Sequence, residues 1–398
     1  MEPPAVGAQI RALRERAGIR SQDLAEAVGL DPSAMSNIER GKRGVKTDEL
    51  TRIAAALRVS PMAILDDHSL VARLPVAPRA DVGTPIDSPA FLRLTALTEL
   101  HEALVEEGIP TGPHLDKVPE VDETVWLQAA ENLAAWAHTV LGPLVEGDDR
   151  FWSLAKAIEE KLGVDVLVEE YPDDPLWGAS ITDREFPFIF VNAKQPTTRA
   201  LFTLAHELAH VLAADGDVMT LDLDLTAHDD RERFANAFAA TFLMARDDVL
   251  DLMAKYGRTA ECLAQMMLRF GVSYESLIYR LHNLRQINAH GRDQLQARGW
   301  RSVVIDGDPD VKAALLTRLG ARPEYKPPRW LTSRAAEGYA KGVISVRPLA
   351  GLLGVDADDL LERISIMEKD AREVVEAQLY TEGVSDLTDE EAFGGNPN

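Results

Sequence analysis

Residues 197–212 of the 398-residue chain read TTRALFTLAHELAHVL, and this stretch decides the fold expected around it. Its apolar side chains recur at helical spacing and the paired threonines at its start suit a helix cap, so a half-buried helix is predicted. On that helix His206 and His210 share one face, about 6 Å apart at Cβ, and both imidazoles can reach one metal ion. Glu207 is rotated by one position, where it can accept a proton from water polarised by the metal.

A second apolar helix is expected in residues 229–244, which read DDRERFANAFAATFLM. A catalytic zinc takes three protein ligands, and Glu232 in this segment offers the third. Asn236 lies one turn further on and shares the face of Glu232. His228 is a competing ligand or hydrogen-bond donor, although a histidine in an acidic loop is more often solvated.

These motifs follow one another in an order that identifies a family. A strand ending in Val-Asn precedes Phe-Thr with His-Glu-Leu-Ala-His, and Glu-x-x-x-Asn-x-Phe-Ala-Ala-x-Phe-Leu-Met comes after them. In this combination residues 147–290 resemble the bacterial and phage peptidases named for the mobile-element immunity protease and the radiation-response protease. The family pattern commonly ends Leu-Met-Pro, whereas Ala245 stands after Leu-Met here. This departure lies at a helix end, away from the metal ligands.

The resemblance implies a zincin-like α+β domain with a zinc-dependent peptidase site. Its metal ligands would be His206, His210 and Glu232. Glu207 would be the general base, and Asn236 would orient a ligand by a hydrogen bond. The same donors accept manganese or iron, so the metal stays open between Zn²⁺, Mn²⁺ and Fe²⁺. A zinc site that only stabilises the fold, or an inactive relative, is the alternative.

The sheet of this domain is expected to contain about three strands. They are predicted at 164–171, 177–182 and 186–192, after a helix at 151–162. An extended protein substrate is expected to add as a strand to the sheet edge near Phe186–Asn192. This position would place a carbonyl of the substrate over the helix that carries His206 and His210.

The N-terminal segment, residues 10–65, reads as five short helices around one small core. Ser21 is expected to cap a helix that ends at Gly29, and an Asp-Pro pair to open the next helix. Two helices joined by a short turn containing glycine form a helix-turn-helix. With Leu-Ala, Val-Gly, Ile-Glu and Gly-Lys pairs in register, residues 1–70 resemble the phage-repressor and Cro class of DNA-binding domains.

That second resemblance implies a homodimer bound to a double-stranded DNA operator. Base edges in the major groove would be contacted by Pro32, Ser33, Ser36 and Asn37. Phosphates would be held by Ser21, Gln22, Arg40, Lys42 and Arg43. Short side chains replace the longer polar readers of many repressors, so base reading is expected to rest mainly on Ser33 and Asn37. A helical module that binds protein through the same fold is the alternative.

The charge of the chain is unevenly distributed. A formal net charge of −23 disfavours contact with nucleic acid. Residues 1–47 nevertheless hold eight Lys or Arg against six acidic residues. DNA contact is therefore expected only at the N-terminus, and the acidic remainder favours a basic protein partner.

The remaining composition bounds the class of protein. An apolar fraction of 46% predicts folded domains. No apolar run approaches the roughly 20 residues of a membrane helix and no signal peptide is visible, so a cytoplasmic protein without a membrane partner is expected. It would be nucleoid-associated when bound to DNA. Cys262 is the only cysteine, which excludes a disulfide within the chain.

Outside the two domains the sequence predicts a linker and helical segment at 71–146, a helical partner or regulatory region at 291–384 and a disordered tail at 385–398. Segments 263–281 and 349–355 echo a helix-turn-helix. They are expected to pack or to bind a partner, since aspartates in the second one would repel phosphate.

The expected fold is mainly α with a small β-sheet: a five-helix DNA-binding domain, a central peptidase domain and a helical C-terminal region. The corresponding function is a DNA-binding transcription regulator in a stress response, with zinc-dependent endopeptidase activity towards a regulatory protein such as a repressor. The alternative is a DNA-binding regulator whose peptidase-like domain acts as a sensor or partner-binding module without proteolysis. A prophage immunity or antitoxin-like module is a third hypothesis.

Overall fold

The computed structural model describes residues 3–16, 19–57, 64–65, 88–113, 115, 118–119, 125–147, 149–213, 219–222, 230–302, 308–367 and 369. The chain divides into two compact units, residues 1–334 and 335–398. The fold is mainly α with a small sheet, as predicted. The predicted linker up to residue 87, His228 and the tail from residue 385 lie outside the described residues. Among the described helices, none is both long and apolar enough to cross a membrane.

The N-terminal domain has an apolar core of its own. Its helices with described bounds are α1 (Pro3–Arg16), α2 (Ser21–Ala27), α3 (Pro32–Glu39) and α4 (Thr47–Leu57), and residues 64–65 are also helical. The core includes Ile10, Leu13, Leu24, Met35, Ile38, Ile53 and Leu57. Asp31 occupies the N-cap position of α3 and Pro32 opens the helix, as predicted, but the Asp31 side chain makes no capping hydrogen bond. The predicted cap at Ser21 is wrong, because Arg20 is the cap residue and the Ser21 hydroxyl donates instead to Glu39 Oε1 at 3.3 Å.

Partly buried ion pairs hold this domain together on both sides of α3. Arg14 Nε of α1 donates to Glu39 Oε1 at 2.6 Å, with side-chain exposures of 11% and 8%. Glu49 of α4 accepts hydrogen bonds from the Lys46 N–H at 3.1 Å and from Arg43 Nη2 at 2.6 Å. Charge-assisted bonds of this kind are strong where water is excluded. They therefore fix α1 and α4 relative to the α2–α3 pair.

The second domain contains a four-stranded sheet with the order β1-β3-β2-β4. The strands are β1 (Asp165–Glu169), β2 (Gly178–Ile181), β3 (Phe188–Asn192) and β4 (Met219–Asp222). β3 pairs parallel with β1 and antiparallel with β2, and β2 pairs antiparallel with β4. The first three strands lie within the predicted segments, and β4 was not predicted.

This topology contradicts the predicted docking edge at Phe186–Asn192. β3 lies between β1 and β2, so its backbone groups are already paired on both sides. All five of its residues are buried, which explains their continuous apolar run. The outer side of β1 is bridged by Lys326, since Val168 and Lys326 exchange backbone hydrogen bonds of 3.0 and 2.9 Å. Of the four described strands, only β4 keeps an edge that pairs with no other described strand or bridge.

The helices that follow the N-terminal domain are, in chain order, α5 (Pro89–Glu106), α6 (Trp126–Leu141), α7 (Arg150–Leu162), α8 (Thr197–Ala213), α9 (Asp230–Leu243), α10 (Arg246–Tyr256), α11 (Ala260–Phe270), α12 (Tyr274–Asn283), α13 (Ala289–Arg298), α14 (Pro309–Gly320) and α15 (Arg329–Ala340). One core of buried residues runs from Ala130 to Leu315. It extends beyond the predicted bounds of 147–290 on both sides. In particular, α6 packs along α9, although the sequence placed α6 in the connecting segment.

Two buried arginines hold the C-terminal end of α9. Arg150 Nη2 donates to the Leu243 carbonyl at 2.7 Å, and Arg280 Nε donates to the Met244 carbonyl at 3.0 Å. The last carbonyls of a helix lack partners within the helix and carry the negative end of its dipole, so a guanidinium there is stabilising. Arg280 belongs to the helix-turn-helix-like echo at 263–281, and its side chain is used in packing.

The start of α15 is held by two carboxylates that lie next to the sheet. Asp165 accepts hydrogen bonds from the N–H groups of Trp330 at 2.6 Å and Leu331 at 2.9 Å. Glu159 accepts one from the Arg329 N–H at 3.1 Å. Burial raises the pKa of Asp165 to about 7, against the opposing effect of these N–H donors. Acidic groups at this end satisfy N–H groups that the helix itself leaves open.

The second unit, residues 335–398, is described as far as residue 369 and is helical, as predicted. It contains α16 (Val346–Leu353) and a helical stretch at 357–367. Gly354 follows α16 with a φ of 66°, a left-handed conformation that ends a helix at little cost for glycine.

Gly7 of α1 lies against the end of α3, and this contact predicts a stability change. A methyl group on Gly7 would lie 2.0 Å from the Ile38 carbonyl oxygen, which belongs to the backbone and cannot turn away. We expect Gly7→Ala to lower the free energy of unfolding of the N-terminal domain by about 1–3 kcal/mol, as overpacking does. Gly44→Ala is the matched control, because nothing lies within 4 Å of its added methyl group. Hydrogen exchange of the α1 and α3 amides is measured in the full chain for both variants. Equal protection of these amides in Gly7→Ala and Gly44→Ala would contradict the expectation.

Candidate metal centre

Three side chains from two helices converge where α8 packs on α9. The candidate ligand atoms of His206, His210 and Glu232 all lie within 4.8 Å of one another. Glu232 Oε2 is 3.2 Å from His206 Nε2, and Glu232 Oε1 is 3.4 Å from His210 Nε2. The two Nε2 atoms are 3.1 Å apart. The structure thus brings together the three ligands that the sequence predicted.

The donor set and its spacing fit a zinc ion. Two imidazoles and one carboxylate leave one position open in a tetrahedral site, which is the arrangement of catalytic zinc centres. Ligand atoms at about 2.1 Å from a tetrahedral ion lie roughly 3.4 Å from one another. The separations of 3.1 to 3.4 Å between the nitrogen and oxygen atoms here are close to that value.

The three side chains are withdrawn from solvent. The side chains of His206 and His210 are 0% and 1% exposed, and that of Glu232 is 15% exposed. Burial alone opposes ionisation of Glu232, but hydrogen bonds from His206 and His210 hold the pKa of this carboxyl well below its usual range. A buried carboxylate of this kind needs a cationic partner.

Asn236 supports the first histidine. It lies one turn after Glu232 on α9, and its Oδ1 is 3.2 Å from His206 Nδ1. A hydrogen bond at Nδ1 fixes the ring so that Nε2 points to the other two ligands. Asn236 therefore lies within hydrogen-bond distance of a predicted metal ligand.

Glu207 is fully buried and packs against the first residue of β2. A methyl group on Gly178 would lie 2.9 Å from Glu207 Oε1 and 2.5 Å from Thr203 Cγ2. Gly178 does not have a left-handed φ, so space for Glu207 and Thr203, and not backbone conformation, calls for glycine here. Gly178 was not among the residues predicted from the sequence. The available signal was a glycine that opens a buried strand, which often marks a close approach of another element.

The predicted DNA contacts divide into two groups in the N-terminal domain. The exposed ones are Gln22, Pro32, Ser33, Asn37, Arg40 and Lys42, and Ser36 is half-buried. The other two make contacts inside the domain. Ser21 bonds to Glu39, and Arg43 pairs with the buried Glu49. Ser21 and Arg43 are therefore less available to phosphates than the sequence suggested.

The metal centre and the N-terminal domain each lie in a segment that matches a known family. Residues 159–282 match the family model of the IrrE N-terminal-like domain, and residues 5–64 match a model of a helix-turn-helix domain. A Radiation response metalloprotease IrrE from Deinococcus deserti is 35% identical over 104 residues, which are 25% of this chain and 37% of that protein. The protein of the same name from Deinococcus radiodurans is 29% identical over 110 residues, 26% of this chain and 34% of the other.

The chain thus spans about a third of the length of the curated relatives it matches. A solved structure of Bacillus thuringiensis PlcR in complex with the peptide PapR7 and DNA aligns with 96% of this chain and 100% of that chain. Its sequence identity of 12% and TM-score of 0.15 are too low to indicate a shared fold. The two family matches together identify residues 5–64 as a helix-turn-helix domain and residues 159–282 as a domain of the IrrE-like metallopeptidase family.

Proposed function

We propose that this chain is a DNA-binding transcription regulator with zinc-dependent endopeptidase activity towards a regulatory protein such as a repressor. The observation that carries the proposal is the convergence of His206, His210 and Glu232 beside Glu207. Similarity to two radiation response metalloproteases supports the same class of reaction and a role in a stress response.

The residues of the site divide the work of peptide hydrolysis. A bound zinc ion would polarise a water molecule and the carbonyl of the scissile peptide bond, and Mn²⁺ or Fe²⁺ could serve in its place. Glu207 accepts the proton of the attacking water and returns it to the leaving amine. Asn236 keeps the imidazole of His206 in its ligating orientation, because it bonds to the other ring nitrogen.

The N-terminal domain would bring this activity to an operator in double-stranded DNA. Exposed Ser33 and Asn37 on α3 would contact base edges, while Arg40 and Lys42 would hold phosphates. A homodimer would double the small basic surface, which matters in a chain with a net charge of −23. Operator binding implies a cytoplasmic, nucleoid-associated protein.

Glu207→Gln tests the proposed peptidase. The substitution removes the base but keeps the size of the side chain, so we expect repressor cleavage with zinc to fall by about 10²–10⁴-fold while zinc and DNA binding persist. The assay follows cleavage of purified helix-turn-helix repressors from the same organism by mass spectrometry. Equal cleavage by the wild type and this variant would exclude the mechanism. Zinc uptake and DNA binding without cleavage by the wild type would favour a sensor.

Metal affinity tests the ligand set independently of activity. Loss of a hydrogen bond to a metal ligand typically lowers the metal affinity by about 10–100-fold, and we expect a loss of this size in Asn236→Ala. Glu232→Gln removes a ligand itself, so its metal affinity should fall further. Asp230→Asn is the matched control, because Asp230 is an exposed carboxylate in the first turn of the same helix. Competition with a chromophoric zinc chelator measures all three. An affinity of Glu232→Gln equal to that of the control would refute the site.

DNA binding should separate a base contact from a phosphate contact. We expect Asn37→Ala to weaken operator binding by about 1–3 kcal/mol and to relax specificity, since it removes a base-edge contact. Lys42→Gln should weaken binding to all sequences and lower the salt slope by about 1. Fluorescence anisotropy titrations measure the affinity of both variants and its dependence on salt. The DNA consists of genomic fragments selected by binding to the full chain. Arg11→Gln, an exposed cation paired with Glu15, is the control; losses equal to those of this variant would count against the predicted contacts.

A further inference from the structure

Two cations pack on one indole ring at the N-terminal end of α8. Lys194 Nζ lies 4.2 Å from the centroid of Trp177, and Arg199 Cζ lies 3.8 Å from the same centroid. All three side chains are half-buried. We refer to Trp177, Lys194 and Arg199 as the Trp177 cluster. Its positive charge stands out in a chain with a net charge of −23.

Arg199 has one hydrogen-bond donor, its Nε, that the described fold does not use. Its Nε is shielded from solvent and has no hydrogen-bond partner in the part of the chain that the structure describes. The Nε of the buried Arg280 differs, because it donates to the Met244 carbonyl at the end of α9. Donors that are shielded from water without a partner are costly, and a guanidinium is suited to binding a carboxylate with two parallel bonds.

Lys194 adds a second positive charge to the cluster. Its Nζ donates to the Asp174 carbonyl oxygen. Burial lowers the pKa of Lys194, the charge of Asp174 opposes this effect, and the charge of Arg199 adds to it. An anion bound at the cluster would offset the mutual repulsion of the two cations.

The cluster lies on the side of α8 that carries the proposed general base. Arg199, Thr203 and Glu207 are spaced by four residues and follow one another along one side of the helix. Thr203 and Glu207 both pack against Gly178, and Trp177 is the residue before it. Eight residues of helix separate Arg199 from Glu207 by about 12 Å along the axis.

The main chain of Trp177 is fixed by two buried amides. Its carbonyl oxygen accepts hydrogen bonds from the Asn192 N–H at 2.9 Å and from Gln195 Nε2 at 3.0 Å. Gln195 Oε1 in turn accepts one from the Thr203 hydroxyl at 3.2 Å. The indole platform is therefore tied to the helix that carries Glu207, so binding a ligand there would require little reordering.

We infer that the Trp177 cluster is a substrate subsite that binds a carboxylate of the peptide to be cleaved. The inference rests on the proposed peptidase function and adds the chemistry that the substrate must offer. An extended peptide rises about 3.3 Å per residue, so a separation of about 12 Å from Glu207 corresponds to about four residues from the scissile bond. The carboxylate belongs to an Asp or Glu side chain or to the C-terminus of the peptide. One arginine and one lysine suit a single carboxylate, whereas DNA binding needs a row of cations.

A binding experiment tests the subsite without requiring cleavage. The full chain with Glu207→Gln is labelled with 5-fluorotryptophan, and the signal of Trp177 among six tryptophans is identified by its loss in Trp177→Phe. The probe is acetyl-Ala-Ala-Ala-Glu-amide, compared with its Gln analogue and with acetyl-Ala-Ala-Ala-Ala bearing a free C-terminus. We expect saturable shifts of the Trp177 signal with the Glu probe, and about tenfold weaker binding of the Gln analogue because a charge-assisted bond is lost. Binding of the tetra-alanine probe would assign the site to a C-terminal carboxylate.

Matched variants separate the subsite from a general charge effect. Arg199→Gln and Lys194→Gln should each weaken the Glu probe about tenfold, and Arg199→Lys should give an intermediate loss, since it keeps the charge but not the planar fork. Arg301→Gln is the control, because Arg301 lies over Trp300 at 5.8 Å in another part of the chain. Unchanged signals of the tryptophans that do not contact the substituted residue establish that each variant is folded.

Several outcomes would overturn the inference. They are equal binding of the Glu and Gln probes, equal affinity of Arg199→Gln and Arg301→Gln, and displacement of the Glu probe by a short DNA duplex at lower concentration. Carboxylate binding at Trp177 in a protein that cleaves nothing would leave the subsite standing and reject the peptidase. Cleavage by the wild type with no preference for either an acidic residue or a C-terminal carboxylate would support the peptidase and reject the subsite.

Discussion

The burial of three polar side chains between α8 and α9 is the constraint on which the rest of the domain depends. His206, His210 and Glu232 lie among apolar helices, where a carboxylate or a protonated imidazole is costly unless it meets a partner. The partner is available only if the two helices keep one distance and one rotation. The apolar faces of α8 and α9 supply that precision by packing, and the ligand atoms remain 3.1 to 3.4 Å apart.

The support of α9 follows from the same constraint. A shift of α9 along its axis by one residue, about 1.5 Å, would separate the carboxylate of Glu232 from both imidazoles. Three features oppose such a shift: α6 packs along α9, Asn236 bonds to His206, and the guanidinium groups of Arg150 and Arg280 hold the last carbonyls. These residues are far apart in sequence. Their common effect is to fix where one carboxylate lies.

Sequence predicted the parts of this fold that depend on short-range periodicity. The i, i+4 spacing of His206 and His210 and the apolar run of β3 both follow from local pattern, and the structure has the predicted elements there. Contacts that depend on long-range packing were not readable. The strand order that makes β3 internal, the close approach of Gly178 to Glu207, and the diversion of Arg43 to Glu49 each join segments whose proximity only the folded chain defines.

The sheet and the Trp177 cluster together limit how a peptide could approach the site. β3 is internal and β1 carries a backbone bridge on its outer side, so β4 is the described strand with an available edge. Asp222 at the end of β4 pairs with Gly178, which contacts Glu207 and follows Trp177. A peptide laid on β4 would therefore reach the proposed base and the cationic cluster at the same end of the sheet. This arrangement would give the unpaired Nε of Arg199 a use that the stability of the fold does not require.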